Sequence, residues 1–461
     1  MRSFVLRSVY GEGDGLQGRL RHLIGRSLDR TNHKRMMKRL VRVRPGRACH
    51  RLVQRQMPGI VSERTRMNND LLYQGSDLML DRLPLASIAR EYGTPVYVYA
   101  ASSIRRQAAR LMQSLGTIGS LRYAVKANAN PVLLALVFSI GFGADTVSRG
   151  EIQAALDAGC PADRIVFSGV GKTQEELAFA LDHSIFINAE SEEELAAIAL
   201  LRTDAHVGIR INPGVDAHTH QYLTTGMQEN KFGIPIDFAL GAFREAMDAG
   251  LVPDTISCHI GSQITSLEPY RKSLARLLEL RDSLMGDGIP VSTLDMGGGF
   301  GISYEEGADF AVEDLQALLR RDVPKGMKLW FEPGRYIVGH AGTLVTRVLY
   351  RKRYARTFVV VDAGMNDLIR PALYQAHHAI LPVTRRDSES IPCDIVGPVC
   401  ESADCFARDV PLPLPEQGDL LAICDTGAYG WSMSSTYNGR PLLPEVLIED
   451  GESVLIRERS C

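Results

Sequence analysis

From residue 121 to residue 332 the chain alternates short apolar runs with amphipathic stretches. The apolar runs fall at 121–125, 143–147, 164–168, 184–188, 206–211, 255–260, 292–296 and 329–332. Their length and their β-branched and aliphatic content predict buried parallel strands, and most of the stretches between them have helical period. Two of the intervening helices open on capping-box spellings, Thr173-Gln-Glu-Glu176 and Ser191-Glu-Glu-Glu194. Eight strands with helical connections predict an α/β architecture, a (β/α)8 barrel, over residues 101–339. An open doubly wound sheet would carry its glycine-rich turn after the first strand, whereas here the glycines follow the seventh.

The pattern changes after Gly339. Short β runs at 343–350, 357–362, 393–396 and 419–424, divided by Pro/Gly turns, predict a second, all-β domain over 340–461. A β-rich lead-in, Gly93-Thr-Pro-Val-Tyr-Val-Tyr99, precedes a helical stretch near 102–115. The segment 67–100 lies outside the barrel alternation and is expected to contribute to the β domain.

At 461 residues the chain exceeds one hydrophobic core, and 45% hydrophobic with 23% charged residues is ordinary for a globular enzyme. No run approaches the roughly 20 apolar residues of a membrane span, so no membrane partner is expected. The eight cysteines are scattered without a C-x-x-C pair, which predicts reduced thiols and a cytoplasmic setting. The net charge of −2 conceals an asymmetry: residues 1–66 hold 17 Lys/Arg against 4 Asp/Glu, and the remainder 35 against 50. This leader reads as a disordered basic arm, an organelle-targeting peptide, or upstream sequence translated by mistake ahead of Met67. The last two are favoured, because no nucleic-acid-binding motif or stacking pattern accompanies the charge. No nucleic-acid partner is expected, and an organelle replaces the cytoplasm if the leader is a transit peptide.

In such a barrel the side chains at the carboxyl ends of the strands share one face. Those ends read Lys126, Asp145, Ser168, Asn188, Arg210, His259, then Gly297-Gly298-Gly299, then Glu332-Pro333-Gly334-Arg335. Lys126 is either a surface charge at a strand end or an amine in a pocket that lowers its pKa and suits it to a Schiff base. The triple glycine either closes backbone N–H groups on an anion or makes a tight turn. Glu332 is a strand-end carboxylate or a partner of Arg335, and His259 a ring-stacking or a structural imidazole. Asp145 and Arg210 fit the site by position alone. His218, His220, His377 and His378 lack the further ligands a metal site needs, and read as solvated loop histidines with no metal expected. An amine, a phosphate cradle, a flat imidazole and a carboxylate together match the aldehyde, phosphate, ring and ring nitrogen of pyridoxal 5′-phosphate.

Seven motifs then occur in order: Tyr123-Ala-Val-Lys-Ala-Asn128, His259-Ile-Gly-Ser-Gln263, Gly297-Gly-Gly299, Glu332-Pro-Gly-Arg335, Arg370-Pro-Ala-Leu-Tyr374, Cys400-Glu-Ser402 and Asp425-Thr-Gly-Ala-Tyr429. Together they resemble the barrel-fold, alanine-racemase-like PLP-dependent decarboxylases, over about 73–455. The resemblance implies that Lys126 joins the cofactor's aldehyde and His259 lies on its ring. It implies that Ser262, Gly297, Gly298, Gly299 and the turn Glu332, Pro333, Gly334 and Arg335 surround the phosphate, with Glu332 on the ring nitrogen. Arg335, Arg370 and Tyr374 would grip the far end of an amino-acid substrate, and Tyr429 would contact both substrate and phosphate. It also implies a homodimer, in which the partner's Cys400 supplies a proton and the partner's Glu401 reads a far-end amine. Taken alone, Cys400 is equally a small packed hydrophobe and Tyr429 a domain-packing aromatic. A far end bearing both carboxylate and amine points to meso-diaminopimelate, decarboxylated to L-lysine. An ornithine- or arginine-type decarboxylase, or a non-catalytic PLP-binding relative, is the alternative.

Overall fold

The computed structural model describes residues 70–216, 231–305 and 307–460. The basic leader, His218 and His220 lie outside the described residues. Eight parallel strands form the barrel: β1 (Ser120–Ala124), β2 (Gly143–Thr146), β3 (Ile165–Ser168), β4 (Phe186–Ala189), β5 (His206–Asn212), β6 (Val252–Ser257), β7 (Thr293–Asp295) and β8 (Lys328–Phe331). Each pairs with its successor, and β8 returns to β1 at Trp330↔Ser120 and Phe331↔Leu121. Closure removes every sheet edge and excludes the doubly wound alternative.

Two strand ends differ from expectation, and both differences move functional side chains. β1 stops at Ala124, so Lys126 stands in a single 3-10 turn, Val125–Ala127, rather than on the strand. β6 begins at Val252 and ends at Ser257, so His259 lies two residues beyond it. The earlier start is possible because a register shift between Pro253 and Thr255 absorbs the proline.

The barrel strands alternate in chemistry. Tyr123, Ala144, Val166, Ile187, Ile209, Ile256, Leu294 and Phe331 are buried apolar residues. Between them stand Arg122, Asp145, Asn188, Ser257 and Asp295, also buried. Asn188 Nδ2 donates to Ser168 Oγ (3.3 Å), Ser257 Oγ (3.2 Å) and Asp295 Oδ2 (3.1 Å). Residues of β3, β4, β6 and β7 meet only across the lumen, so the polar set fills the barrel and the apolar set faces the helices. Parallel strands covered on both sides usually run apolar throughout; here the polar alternation marks a lumen that serves a site.

Of the two capping boxes, Thr173 forms the reciprocal pair with Glu176. Ser191 accepts from Glu194 N–H, but the Glu194 carboxylate turns to Lys172 Nζ (2.6 Å) instead. Lys172 has a fully buried side chain, and an unpaired buried ammonium costs far more than an unmade cap contact.

The second sheet is built on the long strand Gly342–Arg353, which pairs antiparallel with Val96–Ala100, Thr357–Val361 and Leu420–Ile423. Val96–Ala100 is therefore an interior strand, and its other edge pairs in parallel with Glu445–Glu449. Leu71, Leu78, Leu80, Leu85 and Ile88 pack in one cluster with Val96, Val345, Ala422 and Val446. The lead-in segment thus shares the core of this sheet.

His340, in the 3-10 turn that follows the barrel, bridges the two halves. One ring nitrogen meets Asp425 Oδ1 at 2.6 Å and the other Asp309 Oδ1 at 2.9 Å. Burial by itself lowers its pKa, but hydrogen bonds to the two carboxylates outweigh that and raise it to about 10. The stability this ion contributes is whole below the ordinary histidine value of 6.5 and is lost as pH rises toward about 10. Each pH unit in that window removes roughly 1.4 kcal/mol. Wild type and His340→Leu should accordingly differ most in urea midpoint at pH 6.5 and below, with the gap narrowing steadily as pH rises toward about 10; a gap independent of pH would refute the charged bridge.

Candidate active site

The turn that carries Lys126 is held from the second sheet. The Ala127 carbonyl accepts the Tyr429 N–H at 2.8 Å and the Ser432 hydroxyl at 3.2 Å. Asn128 Nδ2 donates to the Gly427 carbonyl at 3.2 Å, and Asn130 caps the helix Pro131–Ser139 by accepting from Val132 N–H. The Lys-Ala-Asn spelling is thus a turn pinned through the Ala127 carbonyl and the Asn128 side chain.

Lys126 Nζ donates to Asp145 Oδ2 at 2.6 Å. Desolvation lowers the pKa of the amine, yet the Asp145 charge, with help from Tyr429 and Glu332, carries it above the ordinary lysine value. This reverses the sequence expectation of a lowered pKa. Asp145 lies on the neighbouring strand with its side chain wholly buried, so it acts as a counter-ion at contact range.

Glu332 follows β8, and its N–H donates to the Gly297 carbonyl at 2.8 Å. Its Oε1 is buried without a hydrogen-bond partner. Burial, then the charges of Asp145 and Asp295, push its pKa well above the ordinary carboxylate value. The glycine turn fits beside it by having no side chains. At Gly297 (φ +64) a Cβ would stand 2.4 Å from the Cys258 carbonyl, and at Gly298 2.0 Å from the Glu332 carbonyl. Gly298 N–H donates to His259 Nδ1 at 3.2 Å, which makes Nδ1 the bare nitrogen. Burial, Arg210 and Lys126 hold His259 well below its ordinary pKa, so the ring is neutral.

Lys126, Asp145, Ser168, Arg210, Ser257, His259 and Glu332 line one cavity of about 410 Å³, together with Gly169-Val-Gly171 and Phe232. Arg210 is fixed by Glu190 at 2.5 Å. Asp145 and Arg210, placed by position alone from the sequence, both belong to the cavity wall.

A second cluster adjoins this wall through the turn Glu332–Arg335, whose Pro333 carbonyl accepts the Ala124 N–H. A Cβ on Gly334 would stand 3.0 Å from the Cβ atoms of Ala124 and Ala127, a tight fit. Arg335, 5% exposed, donates to Tyr304 Oη at 2.6 Å and Ser262 Oγ at 3.0 Å, and its guanidinium lies 4.9 Å from the Tyr429 ring centre. Arg370, 3% exposed, stands 4.6 Å over the ring of Tyr304. Tyr374 lies near enough to Arg335 to raise its pKa.

Tyr304 escaped the sequence reading. Its only signal is its place in Gly301-Ile-Ser-Tyr304, directly after the glycine turn. His378 is a correction: it is 1% exposed rather than solvated, and bonds Arg370 and the Cys424 carbonyl. Its neighbour His377 is exposed. Among the described residues no group of three or more His, Cys, Asp or Glu is placed to hold a metal, and no helix is long and apolar enough to cross a membrane.

Cys400 and Glu401 do not join the cavity of their own chain. Both are exposed, Cys400 held through its N–H by Asn438 and Glu401 by the Ser402 N–H.

A closed barrel whose strand ends gather an amine, a glycine turn, a neutral imidazole and a buried carboxyl is the scaffold of a pyridoxal-phosphate enzyme. The family model "Pyridoxal-dependent decarboxylase, pyridoxal binding domain" matches residues 101–339. The diaminopimelate decarboxylase of Aquifex aeolicus is 42% identical over 402 residues, covering 85% of this chain and 95% of its own. That of Vibrio cholerae is 44% identical over 396 residues, covering 84% and 95%. The crystal structure of the Helicobacter pylori diaminopimelate decarboxylase complexed with L-lysine superposes with a TM-score of 0.79 at 42% identity, covering 82% of this chain and 97% of that one. The chain belongs to the diaminopimelate decarboxylase family, and its cofactor is pyridoxal phosphate.

The residues present suit that group. The orphaned Glu332 Oε1 offers a proton to or shares one with a ring nitrogen, the amine of Lys126 opens on the same cavity, and the glycine turn admits backbone alone. Gly298→Ala should force the Glu332 carbonyl aside. Expected are a lower urea midpoint and loss of the visible absorbance of bound cofactor; a variant that unfolds and absorbs as wild type would refute this packing.

Proposed function

We propose that the chain removes one carboxyl group of meso-diaminopimelate, giving L-lysine and CO2, and that two subunits share each site. The observation that carries this reading is the pair of buried guanidiniums, Arg335 and Arg370, set on one tyrosine beside the Lys126 cavity. Each has an Nε without a partner, and a carboxylate at the far end of the substrate supplies the counter-charge they lack. Ornithine and arginine have no far-end carboxylate and would need an acidic receptor there.

Pyridoxal phosphate, when bound, supplies the electron sink that takes up the pair left when the C–C bond to the departing carboxyl breaks. Lys126 holds the cofactor through its amine, and Asp145 orients that amine. Glu332 keeps a proton at the ring nitrogen, His259 presses a neutral ring face on the cofactor, and Ser262 with Gly297, Gly298, Gly299 and the Glu332–Arg335 turn surrounds the phosphate. Tyr429 reaches the phosphate and the substrate from the second sheet. Arg335, Arg370 and Tyr374 orient the substrate by its far carboxylate, so that the scissile carboxyl is the one left against the cavity wall.

The proton that replaces CO2 on carbon comes from Cys400 of the partner subunit, and the partner's Glu401 takes the far ammonium. This is supported by the exposure of both residues outside their own chain's cavity. The scattered thiols, six of them described and in no disulfide, support a cytoplasmic setting.

Lys126→Ala should abolish lysine release and the trapping of cofactor by borohydride. Cys400→Ala should retain the cofactor's absorbance while kcat falls roughly 10²–10⁴-fold, the usual worth of a positioned acid. Mixing the two inactive variants under exchange should restore about a quarter of wild-type activity, because half the dimers then hold one intact site. A mixture that stays inactive would place Cys400 in the same subunit's site as Lys126. Release of lysine from meso-diaminopimelate, but no amine from ornithine, tests the substrate.

A further inference from the structure

His378 is a buried titratable group near the site that the mechanism above leaves unused. Both of its ring nitrogens are engaged. Nε2 meets Arg370 Nη1 at 2.8 Å, and Nδ1 meets the Cys424 carbonyl at 2.8 Å. A guanidinium only donates and a carbonyl only accepts, so one tautomer satisfies both: hydrogen on Nδ1, lone pair on Nε2. Burial and the adjacent Arg370 charge keep the ring neutral, in agreement with that tautomer.

The anchor behind the ring is rigid. Cys424 follows the strand Leu420–Ile423, and its N–H donates to the Ala379 carbonyl at 2.9 Å. His378 thus ties a guanidinium to the sheet rather than to a loop. Tyr304 completes the arrangement. Its ring lies under Arg370, meets His378 edge-on at 5.2 Å, and its hydroxyl accepts from Arg335. Two like charges are held side by side, each oriented before any ligand arrives, which spares a bound carboxylate the cost of ordering them.

We infer that His378 is a positioning residue for recognition of the substrate's far-end carboxylate, acting through Arg370. This rests on the assignment of Arg370 to that carboxylate under the proposed function. Glutamine and asparagine separate the two bonds of the ring. His378→Gln brings an amide oxygen near the Nε2 position and retains an acceptor for Arg370. His378→Asn keeps a donor near the Nδ1 position for the Cys424 carbonyl but leaves Arg370 without its acceptor.

The test uses the full-length holoenzyme with meso-diaminopimelate, and L-lysine and 1,5-diaminopentane as inhibitors. For His378→Asn we expect KM to rise roughly ten- to hundredfold with kcat little changed, as for a lost charge-assisted hydrogen bond. Inhibition by L-lysine, which keeps the far carboxylate, should weaken by a similar factor. Inhibition by 1,5-diaminopentane, which has no carboxylate, should not change. His378→Gln should restore most of the KM. In an Arg370→Ala background, His378→Asn should add nothing.

A wild-type KM for His378→Asn overturns the inference, as do equal losses for Asn and Gln or equal weakening of both inhibitors. If Arg370→Ala itself leaves KM unchanged, the assignment of Arg370 has failed instead. Should His378→Asn not fold, ring 15N shifts of wild-type His378 carry the test. Nε2 should move on addition of L-lysine and stay still with 1,5-diaminopentane, and no movement with either overturns the inference.

Discussion

The barrel half of this molecule depends on one small contact: the Ala127 carbonyl accepting the Tyr429 N–H from the loop that follows the strand Leu420–Ile423. The lysine is carried on a single turn past the end of a strand, with no ladder to hold it. What fixes the turn is the second sheet, through Ala127, Asn128 and the residues around Gly427. The amine is therefore in position only when the two halves are docked. Tyr429, which delivers the contact, also lies against Arg335, so one loop touches both the Lys126 turn and the Arg335 cluster. His340 ties the same loop, through Asp425, to Asp309 beside the Tyr304 turn.

Electrostatics inside the barrel follow from crowding one amine among three carboxyls. Asp145 takes the ion pair at 2.6 Å. Asp295 is satisfied by Asn188, Ser257 and the Gly297 N–H. Glu332, with neither a cation nor a donor on Oε1, has its pKa pushed well up. Burial penalises a third charge most where nothing solvates it, so the three groups divide their roles by partner, not by residue type. The far end repeats the logic with the opposite sign. Arg335 and Arg370 are kept together by a tyrosine between them and a neutral histidine behind, and a bound carboxylate would complete the set.

The architecture was largely legible in the chain. Short apolar runs and the helical period between them, read from 121 to 332, locate eight strands within a few residues, and the change of texture after Gly339 marks the second sheet. Strand-end chemistry was legible too, because in a closed parallel barrel residues at the same end of each strand must share a rim. Lys126, Asp145, Arg210, His259 and Glu332 do share one cavity. Cys400 and Glu401 are identified by motif alone, since nothing in one subunit's geometry draws them toward it.

Other properties arose from pairs distant in sequence. The local pattern around Lys126 is the same whether its pKa rises or falls; Asp145, on the adjoining strand, sets the sign. The Glu194 side chain belongs to a capping box by spelling and to Lys172 by burial. His378 reads as a loop residue until the strand that ends near Cys424 covers it, 46 residues later. Periodicity and turn chemistry are local, so the order of residues along the chain was enough to specify barrel, sheet and rim. Protonation state and hydrogen-bond partner depend on what lies within a few ångströms through space, and that distance exists only after the chain has closed on itself.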